Sequence, residues 1–207
     1  MVTYQTFKEL NIDHSAIGLD QNISYTEYFC TPKGAEIIAE AGIDGIHHCF
    51  IKGFNETVFA ISPSDFPGEN VHLIAKNFED LLRLLLACGS MDAIEQTYMW
   101  NEETFEQYTI DNKPGEKQRA IMELIKEEFQ IIPMEQPFFY IKDLQASFDY
   151  SNLVFSEEYY ELLPKVEELE IAAPEWKVTY EGGFYPKRGR ARKEIRVDKE
   201  FKWGNEI

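Results

Sequence analysis

Gly45-Ile46-His47-His48-Cys49-Phe50-Ile51-Lys52 and Glu56-Thr57-Val58-Phe59-Ala60-Ile61 are short apolar runs rich in strand-forming residues, separated by Gly53-Phe54-Asn55. They predict a β-hairpin. Gly42-Ile43-Asp44-Gly45 opens it, and Ser62-Pro63-Ser64-Asp65-Phe66-Pro67-Gly68 closes it, since two prolines have no N–H to give to a strand ladder. An extended Val71-His72-Leu73-Ile74 follows. Asn77 then caps a helix in which Phe78, Leu81, Leu82, Leu85 and Leu86 recur at three- and four-residue spacing, with Gly89 at its end. Because Leu84 lies in the same run, this helix is apolar over more than half its circumference and should sit between the sheet and further helices.

Outward from this centre, Ser90 and Asn101 are caps for two short helices, residues 91–99 and 102–108, and Asp111-Asn112-Lys113-Pro114-Gly115 is a connector. Residues 116–130 form an amphipathic helix with Ile121, Leu124, Ile125 and Phe129 on one face. Pro133 stops it, and Pro137 starts the next, in which Phe138, Ile141, Leu144 and Phe148 keep the helical period. Ser156 precedes a helix over 157–163 that Pro164 ends. Residues 176–180 and 195–197 alternate apolar with polar side chains, and are expected to pair across Gly182-Gly183 and a basic loop. The fold class is α+β: a mainly antiparallel sheet flanked by helices, with a helical C-terminal elaboration and a terminal hairpin. Residues 1–110 make the core and 111–207 an extension packed on it, all one unit because the connector is only five residues long.

The 207 residues are 44% hydrophobic and 14% aromatic, enough for a substantial core. Against 20 Lys and Arg stand 37 Asp and Glu, a formal charge of −17 that repels phosphate backbones and anionic membranes. Nucleic acid is therefore not expected on the body of the protein. The acidity is uneven: residues 1–182 hold 33 acidic and 12 basic side chains, residues 183–207 hold 4 and 8. The basic run Lys187-Arg188-Gly189-Arg190-Ala191-Arg192-Lys193 is read as solvated or paired with the acidic body, with a recognition segment as the alternative. Residues 1–18 lack a basic and then apolar leader, and no stretch reaches the roughly 18 apolar residues a membrane span needs. A cytoplasmic location follows as the expectation. Cys30, Cys49 and Cys88 are too widely spaced for a disulfide framework or a paired metal motif, so reduced, buried thiols are expected.

Chemistry finds little support. His47, Cys49 and His72 have the right ligand types for zinc or a Cys/His pair, and His47 and Cys49 share one side of their strand while His48 points to the other. Their spacing matches no closed zinc site, so a structural role is favoured. The glycines form no phosphate-binding loop and no nucleophile elbow surrounds a serine. Adjacent carboxylates such as Glu102-Glu103 diverge by about 100° on a helix and cannot work as an acid/base pair. No catalytic residue and no cofactor are expected. The aromatics, by contrast, are more numerous than one small core can hide, and an interface of Tyr and Trp with an acidic rim would suit a basic protein. Trp100, Glu102, Glu103, Tyr159 and Tyr160 are the contacts selected, for residue type and expected exposure.

The stretch from Gly45 to Ile51, then Val58-Phe59-Ala60-Ile61-Ser62-Pro63, then Ile74-Ala75-Lys76-Asn77-Phe78-Glu79-Asp80-Leu81-Leu82, resembles the later part of the SUKH superfamily. In that superfamily a strand ending in such an apolar run leads to the helix that closes the domain. The resemblance covers about residues 30–90. It implies an antiparallel sheet flanked by helices with no general catalytic apparatus, in a group of fungal cell-wall-synthesis regulators and bacterial immunity proteins that neutralise toxins. Composition and resemblance together lead to the expectation of a non-enzymatic protein that binds a basic partner, toxin-immunity-like in action.

Overall fold

In a computed structural model, the chain is described at residues 2–22, 27–41, 44–163, 178–179 and 196–197. The two central runs form β2 (His47–Ile51) and β3 (Val58–Ile61), with β1 (Ala35–Glu40) before them and β4 (Val71–Ala75) after. Each strand pairs antiparallel with the next, giving the order β1-β2-β3-β4. The hairpin register sets His47 opposite Ile61, His48 opposite Ala60 and Cys49 opposite Phe59. Gly53 turns the chain at φ 100°, a left-handed conformation that costs glycine nothing.

The period of two divides the sheet into faces. Val58, Ala60 and Ile74 look one way, onto α2 (Phe78–Cys88), where Phe78, Leu81, Leu82, Leu84 and Leu85 are buried. The Asn77 side chain caps α2 by accepting from the Asp80 N–H at 2.8 Å, and Gly89 closes it at φ 80°. As its apolar circumference requires, α2 lies against β4 and against α3 (Met91–Gln96), α5 (Glu116–Phe129) and α6 (Pro137–Ser147). α3 stops three residues short of the expected end, and α4 (Glu102–Asp111) runs three residues further than expected. In α5 the buried face is Ile121, Met122 and Ile125, which turns the expected core residue Leu124 outward.

Phe59, Ile61, Val71, Leu73 and Cys49 look the other way. They are covered by Leu144, Leu153, Phe155 and Tyr159, with Phe148 and Tyr150 packed alongside. α7 (Glu157–Leu162) carries Tyr159 into this second layer. Part of the surplus of aromatics is thus the roof of the second sheet face. Three of their hydroxyls also accept backbone N–H groups along β4 and the loop leading to it. Leu73 donates to Tyr150 Oη at 3.1 Å, Lys76 to Tyr140 Oη at 3.0 Å and Gly68 to Tyr159 Oη at 3.0 Å. Those donors lie outside the sheet ladder, so the tyrosines seal an edge that would otherwise be a template for strand pairing.

The chain divides into a unit over Met1–Leu163 and a second over Pro164–Ile207. The expected boundary after residue 110 falls in the last turn of α4, and α5 to α7 are part of the first unit. In the second unit β5 (Val178–Thr179) and β6 (Arg196–Val197) pair antiparallel, Val178 opposite Val197, which is the expected terminal pairing. The turn at Gly182-Gly183 and the basic run 187–193 lie outside the described residues. Among the described residues no helix is long and apolar enough to cross a membrane.

Candidate partner-binding surface

The sheet separates the residues considered for metal or Cys/His chemistry. His47 and Cys49 share the face roofed by the aromatics, but His72 sits opposite Ala60 and therefore shares the other face with His48. Both His47 ring nitrogens are occupied, Nδ1 by the Gly45 carbonyl at 2.9 Å and Nε2 by Thr31 Oγ1 at 3.3 Å. Burial lowers the His47 pKa and raises that of the fully buried Cys49 thiol, so neither is primed as a cation or a nucleophile. Among the described residues no group of three or more His, Cys, Asp or Glu is placed to hold a metal. His47, Cys49 and His72 thus do not form one site. The expectation of reduced, buried cysteines agrees with the structure: Cys30, Cys49 and Cys88 are all free and buried, and burial pushes the Cys88 thiol up to about 12.

Under α3 the sheet carries two polar pairs instead. His48 Nε2 donates to Glu95 Oε1 at 2.7 Å, with both side chains buried. One turn later Tyr98 stacks on the His72 ring, centroids 3.6 Å apart, and both His72 Nε2 and the Tyr98 hydroxyl donate to Asp65 Oδ2 at 2.9 Å. Burial alone would raise the Asp65 carboxyl. The bonds from His72 and Tyr98 outweigh it and hold the group below the usual carboxylate range. Lys142 of α6 donates to the Tyr98 carbonyl at 2.8 Å, so the turn after α3 is tied to the helix roof as well. These contacts brace the loop, because two donors from different elements converge on one oxygen of Asp65.

Asp65 belongs to the loop between β3 and β4, and the rest of that loop is equally fixed. The Ser62 N–H donates to the Asn70 carbonyl at 2.8 Å, and Asn70 Nδ2 returns bonds to the carbonyls of Ser62 at 2.9 Å and Asp65 at 2.8 Å. The Glu69 N–H closes on the Phe66 carbonyl at 2.8 Å, while the Gly68 N–H reaches Tyr159. Pro63 and Pro67 restrict φ on either side. Phe66, at the tip of this frame, is 81% exposed.

Two tyrosines next to the contacts selected from sequence bond this loop, Tyr98 and Tyr159. On one side, Asp65 holds Tyr98, and the chain continues through Met99, 57% exposed, to half-buried Trp100, whose ring packs on Tyr108 at 4.7 Å. Asn101 then caps α4, whose first turn exposes Glu102 and Glu103. On the other side, Gly68 binds Tyr159, and the neighbouring Tyr160 is 50% exposed. Tyr159 itself is only 3% exposed, which corrects its selection as a surface contact: its ring is roof and its hydroxyl anchors the loop. Trp100, Glu102 and Glu103 follow Tyr98 along the chain and Tyr160 follows Tyr159, and the exposed Phe66 is the residue of this loop that the sequence reading did not select. An aromatic between two prolines in a turn was the available signal, but it also reads as an ordinary strand terminator.

No protein-family model, no curated protein and no solved structure matches the chain, so the likeness to the SUKH superfamily rests on the residues quoted for it.

Proposed function

We propose that this chain binds a basic protein and neutralises or regulates it by electrostatic capture and steric occlusion, in the manner of an immunity protein and without chemistry of its own. The observation that carries the reading is the strong acidity of the first unit, on which Phe66, Met99 and Tyr160 are exposed and Glu102 and Glu103 stand exposed in the first turn of α4. Single exposed apolar residues are ordinary, and the reading draws its weight from the charge of the unit that carries them. Residues 1–163 carry 28 acidic and 10 basic side chains, so the surrounding field favours a cationic partner. At physiological ionic strength that field reaches about 8 Å, enough to steer an encounter and fix its register.

Capture from a lysate of the source cells, washed at low salt and eluted at high salt, tests the reading. Wild type should yield a basic protein in the eluate, and the double variant Glu102→Lys with Glu103→Lys should lose it. Both glutamates are exposed, so the variant keeps the fold. Equal recovery by the variant, or an eluate without a basic protein, overturns the proposal.

A further inference from the structure

We draw no further inference here: the strongest candidate, the exposed acidic face of α4 formed by Glu102, Glu103 and Glu106, belongs to the acidic unit already proposed to bind a basic partner, and nothing in the structure shows what covers it.

Discussion

Asp65 gathers three separate parts of the chain onto one carboxylate: the loop that bears it, His72 of β4 and Tyr98 after α3. Its carboxyl is held below the usual range in the folded protein, so its contribution to stability is present at neutral pH, above the unfolded value of about 3.9, and is lost as pH falls through the lower folded value. The group is partly exposed, and solvent screens part of the effect. Urea midpoints of wild type and Asp65→Asn should therefore differ at pH 7, wild type being the more stable, and converge towards pH 3. A gap that stays constant over that range would show that the carboxylate charge is not what braces the loop. The faces on which the sheet histidines lie were only half readable in the sequence. Alternation along β2 placed His47 and Cys49 together and His48 opposite, as found. The face of His72 depended on the register between β3 and β4, which the length and shape of the loop joining them set and the sequence alone does not give.

At the scale of elements, caps and turn residues carried the reading. Asn77, Ser90, Asn101 and Ser156 each start a helix, and Pro137 stands in the first turn of α6. β1 was missed because Ala35-Glu36-Ile37-Ile38-Ala39-Glu40 is built largely of residues that favour helix; pairing with β2 overrides that preference. The tyrosine clasp on β4 was invisible for another reason. It joins Tyr140 and Tyr150 to backbone groups more than 60 residues away, and only tertiary structure brings them there. Tyr150→Phe keeps the ring in the roof and removes the acceptor for the Leu73 N–H, which should cost about 1–3 kcal/mol. Amide hydrogen exchange at Leu73 should speed up locally in this variant, and Tyr140→Phe should do the same at Lys76. Unchanged exchange at both amides would mean that water serves the edge as well as the hydroxyls do.

Over the whole molecule, the α+β class with its antiparallel sheet was readable from periodicity, and so was the burial of α2. The bonds of Tyr98 and Tyr159 to the loop between β3 and β4 were not, because each joins residues more than 30 positions apart. Charge is uneven along the chain, acidic over the first unit and basic in the run at 187–193. A chain lacking residues 183–207 should still bind the basic partner. Loss of binding on that deletion would move recognition to the basic segment. The most direct test of the account is calorimetric titration of the captured partner against wild type at about 50 mM and about 500 mM salt. Capture by an acidic surface requires Kd to weaken about tenfold or more across that range. A Kd that does not change with salt would contradict it.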